Sequence, residues 1–381
     1  MMHLDSKLPS VGTTIFTIMS RLATELGAIN LSQGFPDFDC DPALIDAVAQ
    51  HMRAGRNQYP PMLGVLPLRE AIAARYAEVY SQTYDADSEV TITSGGTEAI
   101  FNAVAAIVHP GDEAIVLEPC YDSYLPAITL SGGVPVVVTM RPPAYAIDWD
   151  AVRSAITPRT RLLMINSPQN PTGSVLGPAD VAALRETVAA TDIVIVSDEV
   201  YEHIIFDGLT HESMARYPDL AARSFVVGSF GKTYHVTGWK VGYAVAPKAL
   251  TAEFRKVHQF VTFSTHTPTQ YALADFLAAR RGLAELGPFY EAKRDLFLRL
   301  MEGSRFRPLP CHGSYFQLMD YSAISSESDA DFAIRLTREH GVASIPTSPF
   351  LSREPAPLVL RFCFAKKEET LEAAAERLQA V

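Results

Sequence analysis

The sequence predicts an α/β fold: a large domain on a mainly parallel, seven-stranded sheet covered by helices on both faces, and a second, smaller α/β domain. Three observations carry this. Between Glu89 and Val245 short apolar runs alternate with helix-length segments, the pattern of strands joined by crossover helices. After Pro268 the chain turns mostly helical, with only brief apolar runs between. Its 381 residues exceed what one core usually serves, so two domains are expected.

The elements follow in order. Residues up to about 40 carry Gly12, Gly27, Gly34 and Pro36, and read as an arm with a helix near Phe16 to Leu26 and a short strand at Ile29 to Ser32. Pro42 to Arg53 has helical apolar spacing (Leu44, Ile45, Val48, Met52). Pro67 to Tyr80 is a second helix, with Pro67 suited to its first turn and Glu70 to its dipole. Seven runs read as strands: Val90 to Thr93, Ala114 to Leu117, Val134 to Met140, Arg161 to Ile165, Ile193 to Val196, Phe225 to Val227 and Val241 to Val245. Helices are expected at Glu98 to Val108, Tyr121 to Leu130, Trp149 to Ile156 and Pro178 to Ala190. Beyond Pro268 come helices Gln270 to Arg281 and Phe289 to Met301, then Tyr315 to Met319, a helix around Ala330 to His340, strands Val342 to Ile345 and Leu358 to Phe364, and a last helix Glu368 to Leu378. The expected division is an arm at 1–40 joining the small domain, a large domain at 41–287 and a small domain at 288–381.

Composition excludes several roles. With 43 acids against 32 bases the formal charge is −11, which argues against nucleic acid as a main partner. Cys40, Cys120, Cys311 and Cys363 are scattered without a C-x-x-C pair, so no metal site is expected and a reducing compartment fits. No signal peptide and no membrane span are apparent, and the expected location is cytoplasmic.

In a parallel sheet, ligands sit beyond the carboxyl ends of the strands. Four such ends carry polar groups. Ser94-Gly95-Gly96-Thr97 lets backbone approach an anion at a helix start, although an ordinary capped helix would read the same way. Asn166-Ser167-Pro168-Gln169-Asn170-Pro171-Thr172-Gly173 fixes the Asn170 amide between two prolines. Ser197-Asp198-Glu199-Val200-Tyr201 ends an apolar strand with an acid, which needs a cation such as a pyridinium if it is not a helix N-cap.

The fourth end is Ser229-Phe230-Gly231-Lys232-Thr233-Tyr234, with Gly238-Trp239-Lys240-Val241-Gly242-Tyr243 beyond it. Gly231-Lys232-Thr233 imitates the tail of a phosphate-binding P-loop. Val226 stands where that loop needs glycine, so the P-loop is rejected. The alternatives are a solvated lysine and a lysine joined through its nitrogen to a carbonyl cofactor.

The strings N-S-P-Q-N-P-T-G, S-D-E-V-Y and S-F-G-K-T-Y…T-G-W-K-V-G-Y resemble, in order and spacing, the class I and II, fold-type-I pyridoxal-phosphate (PLP) aminotransferases. The resemblance runs from about Leu31 to Phe364. Within the family, L-S-Q-G-F-P-D-F at Leu31 to Phe38 and N-Q-Y-P-P at Asn57 to Pro61 look like the methionine and kynurenine/glutamine aminotransferases.

The resemblance implies the PLP-dependent transferase fold of type I and a set of roles. Lys232 would hold the PLP aldehyde and then shuttle a proton, which requires its neutral form. Asp198 would pair with the ring nitrogen, so that the ring draws electrons from the substrate. Asn170 and Tyr201 would hydrogen-bond the ring oxygen, and Tyr121 would stack on the ring unless it is a core aromatic. Gly96, Thr97, Ser229 and Lys240 would hold the phosphate; many relatives carry arginine at the last position, and lysine supplies its charge without the fork. Tyr59 would reach the phosphate of a neighbouring subunit, implying a homodimer with shared sites. Arg361, in an apolar strand, would clamp the substrate carboxylate unless it is a structural ion pair. Gly34 would approach the same carboxylate, and Phe16 and Phe263 would line a neutral side-chain pocket.

The expected activity is amino transfer from an amino acid with a neutral side chain (methionine, glutamine, aromatic or kynurenine) to a 2-oxo acid in ping-pong fashion. The rivals are a cysteine-conjugate β-lyase on the same site, an aspartate-type aminotransferase and a cofactor-binding regulator.

Overall fold

The computed structural model describes residues 5–9, 11–279, 283–352 and 356–381. Seven strands form one sheet, in the spatial order Val90–Thr93, Gly242–Val245, Ser224–Ser229, Val194–Asp198, Thr160–Asn166, Glu113–Glu118 and Val134–Thr139. The five strands from Ser224–Ser229 to Val134–Thr139 run parallel. Gly242–Val245 is antiparallel to both its neighbours, which makes the sheet mainly parallel.

The central strands feed two cores, because successive side chains point to opposite faces. In Glu113–Glu118, Ile115 and Leu117 join the core that holds Leu163, Ile195 and Val226. Ala114 and Val116 join the opposite one, with Leu162, Val196 and Phe225. This two-sided burial explains why the strands read as continuous apolar runs.

A separate four-stranded antiparallel sheet, in the order Ile345–Pro346, Val359–Cys363, Phe316–Asp320 and Arg307–Pro308, has its own core of Phe316, Met319, Leu336, Leu360 and Phe362. The N-terminal arm packs on this unit. Ile29–Asn30 pairs in parallel with Val342–Ala343, and Met19 and Leu31 enter its core. Thr14 caps the arm's helix Ile15–Leu26 by accepting from the Thr17 N–H, and Gly27 ends it in the left-handed conformation.

The structure corrects several expected elements. One helix spans Leu283–Leu300, with Gly287 and Pro288 inside it rather than before it. Pro288 forfeits one backbone bond. Leu286, Tyr290 and Phe297 are buried along one face, and their burial outweighs that loss at about 1.5–3 kcal/mol per large side chain. Helix Lys248–Val261 went unassigned in the sequence, although Leu250, Phe254, Val257 and Val261 have helical spacing. The helix expected from Tyr121 starts at Tyr124. The run Val342 to Ile345 divides into two short strands in different sheets. The helix expected to reach Arg281 is Thr267–Ala278, and residues 280–281 lie outside the described residues.

Among the described residues, no helix is long and apolar enough to cross a membrane, and no cluster of His, Cys, Asp or Glu is arranged to hold a metal. The four cysteines are unpaired.

Candidate active site

The carboxyl ends of the central strands open into a cavity of about 270 Å³. Strand Ser224–Ser229 ends at Ser229, and a single helical turn, Phe230–Thr233, then lifts Lys232 into this cavity rather than leaving it at the strand end. The Lys232 amine donates to the Tyr315 hydroxyl at 2.8 Å and lies 3.4 Å from the Gly34 carbonyl. The Tyr315 hydroxyl in turn donates to the same carbonyl. Burial lowers the Lys232 pKa to about 8, the direction a proton-shuttling amine needs.

Asp198 ends the neighbouring strand and is almost fully buried. Tyr124 donates its hydroxyl to Asp198 Oδ2 at 2.6 Å, and the Val200 N–H reaches Oδ1 at 3.3 Å. Burial raises this carboxyl to about 6, against the Tyr124 bond, which lowers it. Asn166 braces the same strand end by donating to the Asp198 carbonyl at 2.8 Å, and its own oxygen accepts the Asn170 N–H at 2.8 Å.

Arg361 comes from the smaller sheet and is 1% exposed. Its Nη1 donates to Asn170 Oδ1 at 2.7 Å and its Nη2 to the Ser32 carbonyl at 3.0 Å. Its charge lies 3.9 Å from the Phe316 ring centroid and 5.2 Å from that of Phe16. Among the described residues Nε has no partner. A buried guanidinium with neutral partners and a spare N–H is costly unless an anion completes it.

At the opposite end lies the turn Ser94 to Thr97, opening helix Gly95–Ile107. Gly95 has φ +77°, and a Cβ there would sit 3.2 Å from the Lys240 amine. Lys240 is itself held in the left-handed region at φ +54°. Gly242 packs flat beneath the turn; a Cβ on it would come within 2.8 Å of the Gly95 carbonyl carbon and 2.9 Å of the Gly96 nitrogen. First-turn N–H groups, a lysine and the Ser229 hydroxyl thus converge at one end of the cavity.

Twelve of the expected site residues line this one cavity: Phe16, Gly34, Gly96, Thr97, Tyr121, Asn170, Asp198, Tyr201, Ser229, Lys232, Lys240 and Arg361. Tyr59 and Phe263 do not; they stand outside it, in edge contact with one another at 5.7 Å, and Tyr59 is 84% exposed. Sequence reasoning missed Tyr124, Tyr315 and Asp122. Tyr124 and Tyr315 each stand within three residues of another aromatic, Tyr121 and Phe316, a signal that core packing produces equally. Asp122, which lines the cavity, directly follows Tyr121 and could have been read with it.

The residues fit PLP. Asp198 suits a protonated ring nitrogen, Lys232 an aldehyde, and the turn with Lys240 a phosphate. These features, on a mainly parallel sheet with a second α/β unit, define a fold-type-I, PLP-dependent enzyme. The chain matches the family aminotransferase class I and II over residues 27–378, and it belongs to that family. It is therefore a PLP-dependent transaminase.

It is 52% identical to the methionine aminotransferase of Escherichia coli over 98% of this chain and 97% of that one. A solved E. coli structure described as having a methionine aminotransferase function superposes with a TM-score of 0.97, at 50% identity over 100% of both chains. A probable N-succinyldiaminopimelate aminotransferase of Mycobacterium tuberculosis is 39% identical over 98% of this chain and 97% of its own. Human kynurenine–oxoglutarate transaminase 1 is 32% identical over 94% of this chain and 93% of its own.

Proposed function

We propose that this aminotransferase takes nitrogen from amino acids with neutral side chains, methionine first among them, and passes it to a 2-oxo acid in two alternating half-reactions at one site. The charge inventory of the cavity carries this reading. Among the described residues that line it, the cations are Lys232, Lys240 and Arg361. One is needed for the aldehyde, one for the phosphate and one for the substrate carboxylate. Within one chain none is left for a second carboxylate, and the further acid, Asp122, would repel one. Phe16 and Phe316 offer apolar surface instead. The identity to the methionine aminotransferase points the same way.

The proposed roles follow the geometry. Arg361 binds the substrate carboxylate, with Asn170 and the Ser32 carbonyl fixing the plane of its fork. Lys232, whose burial favours the neutral amine, would move the proton released from the substrate α-carbon. Asp198 would hold a proton on the ring nitrogen, and the Tyr124 hydroxyl favours its ionised carboxylate. Gly96, Thr97, Ser229 and Lys240 would hold the phosphate, and Tyr121, Tyr201 and Asn170, which line the same cavity, would hold the ring. PLP, when bound, supplies the electron sink for the bond that breaks.

The position of Tyr59 and Phe263 outside the cavity supports a homodimer in which each copy completes the other's site. The unpaired cysteines suit a cytoplasmic setting. Steady-state rates across amino donors test the substrate reading. Methionine and glutamine should exceed aspartate in kcat/KM; a strong preference for aspartate would overturn it. Release of pyruvate and ammonia from a cysteine conjugate would instead favour a β-lyase.

A further inference from the structure

We propose that His258 is a positioning residue that ties the turn holding the PLP phosphate to the loop carrying Tyr59, so that cofactor retention and the contact between two copies of the chain depend on one side chain. This rests on the roles proposed above for Gly96, Thr97 and Tyr59.

His258 lies fully buried near the end of helix Lys248–Val261, and its ring faces an acceptor at each nitrogen. Nε2 is 2.9 Å from the Met62 carbonyl. A carbonyl can only accept, so Nε2 carries a proton. Nδ1 is 2.6 Å from Glu98 Oε1 and 3.5 Å from the Asn102 amide nitrogen, which is itself bonded to Glu98.

Both ends of this bridge lead to the proposed binding groups. Glu98 also accepts from the Ser94 N–H, which opens the phosphate turn, and from the Asn102 amide at 2.6 Å. Met62 lies three residues beyond Tyr59. The backbone of His258 makes a third connection. Its carbonyl accepts the Phe263 N–H at 2.9 Å and so holds Phe263, at φ +67°, with its ring against Tyr59. Phe263 is thus held through the backbone of His258, which a substitution keeps, whereas the loop carrying Tyr59 is tied to the proposed phosphate turn through its side chain.

The test is to titrate PLP into PLP-free wild type, His258→Gln, Glu98→Gln and Lys240→Ala, following the absorbance of the bound cofactor. Self-association of each loaded protein is then measured by sedimentation. Glutamine keeps one donor and loses the bridge. The PLP Kd of His258→Gln should rise about tenfold, as expected for one buried partner left unmade, and its self-association should weaken. Glu98→Gln should raise the PLP Kd by less, and kcat at saturating PLP should change less than the Kd in both. A folded His258→Gln protein with a lower melting temperature but an unchanged PLP Kd would reduce His258 to packing and overturn the proposal. Unchanged self-association would overturn its Tyr59 half. If His258→Gln does not fold, an unchanged PLP Kd in Glu98→Gln overturns it equally. Lys240→Ala isolates the underlying reading: no change there defeats the phosphate assignment, whereas weaker PLP there alone defeats only the role of His258.

Discussion

Arg361 donates to the side-chain oxygen of Asn170 across 2.7 Å, although 191 positions separate them. The bond joins the smaller sheet to the large one and sets the fork that would receive the substrate next to a residue that would touch the cofactor.

Arg361→Lys should therefore spare cofactor binding and damage substrate binding. Lysine keeps a charge but cannot serve Asn170, Ser32 and a carboxylate in one plane. We expect kcat/KM for methionine and for its 2-oxo acid to fall about 100-fold, mostly through KM, with the PLP absorbance retained. Steady-state kinetics beside a spectrum of the loaded protein checks this.

Lys232 gives a pH dependence with a definite sign. Its amine, with a pKa near 8, is charged below that pH and neutral above it. Only the neutral amine attacks an aldehyde. The rate at which PLP-free protein attaches PLP should climb with pH and level off above about 8, as stopped-flow absorbance would record. Lys232→Ala should abolish both attachment and turnover.

Much of this site was legible because its residues come in short contiguous strings at strand ends, where local chemistry and burial coincide. Asp198 stands out as an acid closing an apolar run, and Lys232 as a lysine between two such runs. Tyr124 and Tyr315 were not legible, because each acts through a partner at least 74 positions away and no local spacing encodes the contact. Of the fold, the strands buried on both faces were the clearest, since two-sided burial leaves an unbroken apolar run. Helix Lys248–Val261 was lost for the opposite reason: charged residues separate its apolar positions, so the stretch reads as polar unless its period is counted. Pro288 misled because a breaker in sequence is tolerated where a buried face continues through it.

Asp198 should shape the stability of the PLP-free protein. Its folded pKa of about 6 stands above the roughly 4 of an unfolded aspartate, so the folded chain binds more protons between these values. Its contribution is therefore most favourable below about pH 4 and is lost as pH rises through 6. Asp198→Asn should flatten the melting-temperature profile of PLP-free protein over that window and raise it at pH 7. The same change should cut kcat at least about 100-fold, since a neutral amide cannot hold the ring-nitrogen proton. Tyr124→Phe should push the carboxyl higher still, moving the window toward neutral pH.

The turn proposed to hold the phosphate has no side chain beneath it at Gly242. A Cβ at Gly242 would fall 2.8 Å from the Gly228 carbonyl oxygen as well as from the Gly95 carbonyl carbon, and all of these contacts are backbone. None can swing away as a side-chain tip would. Gly242→Ala must therefore both lift the turn away from Gly95 and Gly96 and move the paired strand away at the Gly228 carbonyl. Raising the turn moves the Gly96 and Thr97 N–H groups relative to Ser229 and Lys240, which are built on other elements. PLP affinity should fall by about tenfold or more, and kcat at saturating PLP should fall too, because the strand displaced at Gly228 leads into Lys232. The melting temperature should drop as well, by an amount typical of overpacking at about 1–3 kcal/mol. Equilibrium PLP titration and thermal unfolding of the same preparation separate the two effects.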